Sequence, residues 1–352
     1  MPADRYIPKG AASLQINADG PAREFYFLLL PKLTMLAFSS AIEPLRIANQ
    51  LAQKQLYTWY AITPDGQGVT CSNGVTIQSD GAMGHISKNA SVFICSGIDP
   101  IHAASKEVLA WIRQQDRQGT QLGGICTGAF ALAQAGVIRN RRFTLHWENQ
   151  PAFVETFTDL VPTENLYEND VRLITCSGGN AATDMMLALI EEDHGSELAL
   201  VVADMCLHKR SNDRQAPQRS SLSVLVGTRN PKLLHAIQLM QQTVEDPLPL
   251  LELCAILDIS RRQMERLFKK YTAQSPTQFY YMLKLERAHA LLSETDMSIT
   301  QITAATGFNS TSHLARQFKS KIRFCTPRYA QRLGEIIHLK QPTLGLIHPN
   351  PT

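Results

Sequence analysis

A cysteine and a histidine pose the first chemical question in this chain. Cys126 stands in Gly123-Gly-Ile-Cys126-Thr-Gly-Ala-Phe130, where strand character breaks at once into helical character. A thiol at the first turn of a helix loses its proton more readily than free cysteine. His146, in Thr144-Leu-His-Trp-Glu-Asn149, is the residue type that takes such a proton, so the two have the makings of a nucleophile and its base. The same turn reads as a ligand pocket, because backbone N–H groups at a helix start suit a carboxylate. Thr127 lies beside the thiol, and Ser96-Gly97 and Cys176-Ser177-Gly178 end neighbouring strands that would line the same cleft. Glu43 and Trp147 suit a cationic or quaternary nitrogen through charge and cation–π attraction. Each has a plainer reading, as a surface carboxylate and a core tryptophan, and His146 alone is equally often a satisfied core histidine.

A second set of residues suits a polyanion. In the helical stretch after Ser260, Met264, Leu267 and Phe268 face inward, leaving Arg261, Arg262, Gln263 and Arg266 outward near the amino end. After Ser310 the pattern returns, with Leu314 and Phe318 inward and Thr311, Ser312, His313 and Arg316 outward. Arginine can bind guanine bidentately, and Ser, Thr and Gln read bases less specifically. Lys269, Lys270, Lys319 and Lys321 follow at the carboxyl ends, where they suit phosphate contacts that position without specifying. Each of these helices comes after a short apolar helix and a tight turn, the arrangement that places a helix in the DNA major groove. A basic helical bundle with solvated faces would explain one copy. Duplication favours the DNA reading, and the long helix between the copies can hold them near one turn of DNA, roughly 34 Å.

These residues need two kinds of scaffold, and the chain has room for both. It is 352 residues long, natural for two domains. Residues 232–340 carry 15 Lys and Arg against 9 Asp and Glu, whereas the remainder carries 19 against 22. A basic carboxyl-terminal part on a mildly acidic partner suits a polyanion-binding module attached to something else. Apolar runs at Glu24–Leu30, Leu56–Thr63, Ala90–Cys95 and Thr120–Ile125, with shorter ones at Gly74–Gln78, Phe143–His146 and Val171–Cys176, read as strands. Helical spacing at Ser39–Gln53, Ile101–Gln118 and Asn180–Glu192 alternates with them, predicting a parallel α/β sandwich with helices on both faces. From Pro231 onward only helical patterns remain. The expected organisation is a tail over 1–22, an α/β domain over 23–210, a linker over 211–230, an all-α domain with two helix-turn-helix motifs over 231–335, and a tail over 336–352. Seven scattered cysteines without a CxxC pair argue against a zinc site and for a reducing compartment. The start MPADRYIPKG lacks the apolar centre of a signal peptide, and the most apolar run is broken by Pro31-Lys32. A cytoplasmic protein with no membrane partner, no metal and no cofactor is expected.

The stretches SRRQMERLFKKY, SPTQFYYMLKLERAHALL and MSITQITAATGFNSTSHLARQFK resemble the AraC/XylS family of bacterial transcription regulators over about Leu233 to Leu333. The resemblance implies two helix-turn-helix units joined by a rigid helix and contacting adjacent major grooves. Arg262 and Arg266 would contact bases in the first, and Thr311, Ser312 and Arg316 in the second. The chain departs from the family pattern in lacking a glycine after each recognition helix: Ala273 stands in the first copy, and KSKIRFCTPRYA in the second has none. The Cys126 turn is similar to the elbow of class I glutamine amidotransferase/PfpI-like proteins, over roughly Glu24 to Leu207. With TLHWEN and TCSGGNAATDMM it resembles the ArgR-like (GlxA-type) subgroup, flavodoxin-like in fold. That subgroup implies an activator responding to a small amino-acid-like or quaternary-ammonium metabolite, acting as a homodimer on double-stranded DNA with RNA polymerase as a further partner. PfpI-like enzymes carry a glutamate after the first strand. Here Thr34–Ala41 holds no carboxylate and Glu43 is offset, so no Cys-His-Glu triad can be assigned. The alternatives are a cysteine-dependent amidase or glyoxalase-like enzyme, and a redox sensor using Cys126. The non-enzymatic reading is preferred.

Overall fold

The computed structural model describes residues 20–87, 89–210, 218, 228 and 230–321, with side chains of the last helix described through Phe318. Most of the expected tail 1–22 and linker 211–230, the whole tail 336–352 and the turn after Lys321 lie outside the described residues, as do the side chains of Lys319 and Lys321. The chain divides into two compact units, Met1–Arg219 and Ser220–Thr352.

The first unit is built on strands whose both faces are apolar. Strand β1 (Arg23–Leu29) sits between β2 (Tyr57–Thr63) and β6 (Ser91–Ser96), and β6 pairs in turn with β7 (Gln121–Cys126). β7 pairs with β9 (Leu173–Cys176), all of these in parallel. Phe27, Phe93, Ile125 and Cys176 pack on one face against α1 (Met35–Ala52), α5 (Ala181–His194) and α6 (Ser196–Met205). Leu28, Ile94 and Leu122 pack on the other against α2 (Lys106–Gln118) and α3 (Ala129–Gln134). This is the expected α/β sandwich, and its parallel strands bring the carboxyl ends of β6, β7 and β9 together.

The sheet differs from expectation at its margins. Its full order adds β5 (Gly81–Ala82) beside β2 and β8 (Tyr167–Asp170) beside β9, and β8 runs antiparallel. The Tyr167-Glu-Asn-Asp170 strand is too polar to announce itself, as an edge strand tends to be. The short pair β3 (Val69–Thr70) and β4 (Thr76–Ile77) forms a separate sheet. Phe143–His146 is not a strand: only Thr144 forms a bridge, to Thr163, and its N–H donates to the Thr175 hydroxyl at 2.8 Å. The helix expected from Ile101 begins at Lys106, because the Ser105 hydroxyl accepts the Val108 N–H and sets the first turn there.

The second unit contains α7 (Pro231–Gln242), α8 (Leu250–Ile256), α9 (Arg261–Thr272), α10 (Pro276–Glu294), α11 (Ile299–Ala305) and α12 (Thr311–Lys321). Its helix starts are written locally. Ser260, Ser275 and Ser298 each accept the backbone N–H three residues on, while Gln263, Gln278 and Gln301 reach back to the serine N–H. Each such reciprocal cap is worth about 1 kcal/mol. The two helix-turn-helix units are α8–α9 and α11–α12. Their turns use left-handed residues at matching places, Asp258 (φ 48°) and Gly307 (φ 61°). A β-carbon on Gly307 would lie 2.3 Å from the Glu245 carbonyl oxygen, so this turn needs glycine for space as well as for backbone freedom. Met264 and Phe268 in the first copy, and Ile302, Leu314 and Phe318 in the second, are buried as the helical spacing predicts.

Candidate functional site

The faces expected to read DNA are the exposed sides of α9 and α12. Arg262, Arg266 and Arg316 are exposed, and none forms an ion pair among the described residues. Their neighbours are more committed than the sequence suggested. Arg261 donates to Glu265 at 2.9 Å, one turn along the same helix. The Gln263 carboxamide oxygen accepts the Ser260 N–H at 2.8 Å, so only its amide N–H groups remain for other partners. Lys269 reaches the Ala273 carbonyl at 3.5 Å, closing the carboxyl end of α9. Thr311 and Ser312 are half-buried in the first turn of α12. His313 was expected outward, but its half-buried ring packs edge-on against Tyr281 and Phe308, with centroids 5.9 and 5.6 Å away. On these two helices the guanidinium groups without an ion pair among the described residues are therefore those of residues 262, 266 and 316.

In the first unit, the Cys126 turn is a strained elbow. Cys126 has φ 61°, a left-handed conformation uncommon for a non-glycine residue, where β7 turns into α3. Register places Ser96 beside Cys126, and Cys95, Ile125 and Cys176 in one row across the three strands. Thr127 donates to the Gly97 carbonyl at 2.8 Å, tying the elbow to the end of β6. Gly97 in turn bridges Leu33. Two more residues close over the thiol: Gly178, in the Cys176-Ser177-Gly178 strand end expected to line the cleft, and Thr34, which the sequence did not single out. The Thr34 hydroxyl lies 3.5 Å from the Cys126 sulfur, and Gly178 packs so tightly that a β-carbon there would sit 2.7 Å from Cys126 Cβ and 3.0 Å from Sγ. The paired glycines of TCSGG were the one available signal for the second contact. For Thr34 there was none, since the contact spans 92 residues.

The other candidates divide between cleft and core. Ser96 is 2% exposed and its hydroxyl has no hydrogen-bond partner among the described residues. Cys176 is fully buried in the core rather than lining the cleft, and burial pushes its thiol up to about 12. Burial likewise pushes Cys95 well above the ordinary thiol value. Glu43 is not placed at the elbow. It lies more than two turns into α1, about 13 Å beyond Thr34 along the helix axis, paired to Arg46 at 2.7 Å. It acts instead on Cys206, whose thiol is raised by burial first and by the Glu43 charge second.

His146 is beside the elbow, its backbone N–H donating to the Cys126 carbonyl at 3.3 Å. Its imidazole is held below the ordinary histidine value by burial, which outweighs the opposing charge of Glu148. The Glu148 N–H approaches Nδ1 at 3.4 Å, which puts the proton of the neutral ring on Nε2. In that tautomer Nε2 donates rather than accepts, and the exposed Glu148 carboxylate lies 3.9 Å from Nδ1. Trp147 follows, 41% exposed, its ring centroid 5.5 Å from that of His146. What the elbow assembles is a small polar floor, from Ser96, Thr34 and a buried thiol, with a half-exposed indole and Glu148 nearby in sequence. No group of three or more His, Cys, Asp or Glu fit to hold a metal occurs among the described residues.

Two family descriptions match this chain: a helix-turn-helix domain over residues 253–332 and the DJ-1/PfpI family over residues 39–192. Among curated proteins, the HTH-type transcriptional regulator CdhR of Pseudomonas aeruginosa is 40% identical over 85% of this chain and 89% of its own. GbdR, an HTH-type transcriptional regulator of the same species, is 38% identical over 88% and 84%. GlxA, an HTH-type transcriptional regulator of Rhizobium meliloti, is 36% identical over 83% and 91%.

Proposed function

Because the chain belongs to the family of HTH-type transcriptional regulators that join a DJ-1/PfpI-like domain to an AraC-type helix-turn-helix domain, we propose that Arg262, Arg266 and Arg316 read its operator and that the Cys126 cleft is its sensor. The chain is a DNA-binding transcription regulator. The observation that carries the residue assignment is that these three exposed guanidinium groups form no ion pair among the described residues, whereas Arg261, the Gln263 carboxamide oxygen and Lys269 on α9 are already engaged. The effector is a small zwitterion, amino-acid-like or quaternary. Its carboxylate meets the Ser96 hydroxyl, and its cation meets Trp147 and Glu148 in place of the Glu43 first expected. The elbow binds rather than catalyses: Thr34 brings a hydroxyl to the thiol, and His146 carries its proton on Nε2. Activation, dimerisation through the α/β unit, contact with RNA polymerase and a cytoplasmic location complete the proposal. Among the described residues no helix is long and apolar enough to cross a membrane.

The test is a gel shift of the purified protein on its own upstream DNA. Arg262→Ala and Arg316→Ala should each cost about 1–3 kcal/mol of specific binding. Undiminished binding by the double variant refutes the contact assignment. A thermal-shift screen of arginine, glycine betaine and carnitine tests the sensor, since a ligand bound by the folded state raises its stability by mass action. Ser96→Ala should fold normally and lose the response.

A further inference from the structure

The DNA-binding unit contains a cavity of its own. It measures about 210 Å³ and is walled by Met240 of α7, Leu248, Leu253 of α8, and Tyr280, Tyr281 and Lys284 of α10. Most of that wall is apolar or aromatic, and Lys284 is its one charged residue. It is 9% exposed, and no carboxylate pairs with it among the described residues. Its ammonium donates to the Gly307 carbonyl and lies 5.6 Å from the Phe308 ring centroid. An ammonium has three donors, so two are left without a hydrogen-bond partner among the described residues, beside a largely apolar cavity. Burial of such a charge is costly unless an anion meets it, and here burial pushes the lysine pKa down with nothing opposing it. The wall also carries the hydroxyls of Thr277, Tyr280 and Tyr281, of which that of Tyr280 is bonded to Thr243.

We propose that this cavity is a second ligand site, distinct from the Cys126 cleft, that takes a small amphipathic monocarboxylate. The carboxylate completes the donor set of Lys284, and the apolar body fills the space between Met240, Leu248 and Leu253. Uncharged and cationic molecules of the same shape gain only the apolar part. The site sits against the second helix-turn-helix unit. Lys284 holds the Gly307 turn through its carbonyl, and Tyr281 touches Phe308 and His313, which is on the recognition helix itself. An occupant therefore lies one side chain away from the helix that carries Arg316.

The experiment is calorimetric titration of the full-length protein with octanoate and 3-phenylpropionate as aliphatic and aromatic carboxylates, and with 1-octanol and octylammonium as matched controls. The expected result is saturable binding of at least one carboxylate, at least about tenfold tighter than octanol, and none of octylammonium. Lys284→Met should weaken carboxylate binding about tenfold or more and leave octanol binding unchanged. If Lys284→Met fails to fold, Leu248→Trp keeps the ammonium and fills the cavity from a half-buried loop position, and it should abolish binding. The proposal is overturned if neither carboxylate binds, if octanol matches the carboxylates, or if Leu248→Trp binds octanoate as the native protein does.

Discussion

Replacing Gly178 with alanine probes the elbow through a contact that the sequence order hides. Gly178 has φ 89°, and its missing β-carbon would fall 2.7 Å from Cys126 Cβ and 3.0 Å from its sulfur. A left-handed backbone costs a non-glycine residue roughly 1–2 kcal/mol. Forcing a methyl into a filled site adds about 1–3 kcal/mol. Gly178→Ala should therefore destabilise the α/β unit by about 2–5 kcal/mol, of which only the steric part depends on Cys126. Cys126→Gly removes the Cβ and the Sγ but keeps the Cα, itself 3.0 Å from the added carbon, and tolerates the positive φ, so the double variant should recover about 1 kcal/mol or more relative to additivity. The assay is urea unfolding followed by tryptophan fluorescence. Trp59, Trp111 and Trp147 are the three tryptophans of the chain, all in the first unit, so the signal reports that unit by itself. A loss below about 0.5 kcal/mol for Gly178→Ala, or strict additivity in the double variant, would refute the reasoning.

Two further outcomes follow from the structure. Ala273 closes α9 with φ 56°, so Ala273→Gly should stabilise the helical unit by about 1 kcal/mol; unchanged or faster amide exchange across α9 and α10 would contradict it. His146 and His194 are both held below the ordinary histidine value by burial. The folded state thus binds fewer protons than the unfolded chain, and this part of the stability is present above about pH 6.5 and lost as pH falls below it. His146→Gln should make the fall of the urea midpoint between about pH 7 and 5.5 shallower, and an unaltered slope would remove His146 from the account.

Local physics was legible from the chain alone. Apolar runs such as Glu24–Leu30 and Ala90–Cys95 became β1 and β6 because a strand buried on both faces can hold no polar alternation. The helix starts at Ser260 and Ser310 came from side chains that bond backbone within three residues. The inward set Met264, Phe268, Leu314 and Phe318 came from the helical period. A duplicated pattern of this kind identifies a DNA-binding unit without coordinates, since every step of it is written over a few consecutive residues.

Only the tertiary structure decided which polar groups remain available. Arg261 and Arg262 are adjacent and chemically identical, yet one pairs with Glu265 and the other has no ion pair among the described residues, because the helix turns them to different neighbours. Glu43 and Thr34 lie on the same turn-and-helix segment, yet Thr34 meets the thiol while Glu43 sits more than two turns away beside Arg46. Cys176 and Ser96 both end strands beside the elbow; one thiol is buried in the apolar core, while the other residue keeps a hydroxyl without a partner among the described residues. Residue type and spacing set what each group can do. Which of them is left to do it depends on contacts between residues tens of positions apart, and those are set by how the sheet and helices pack.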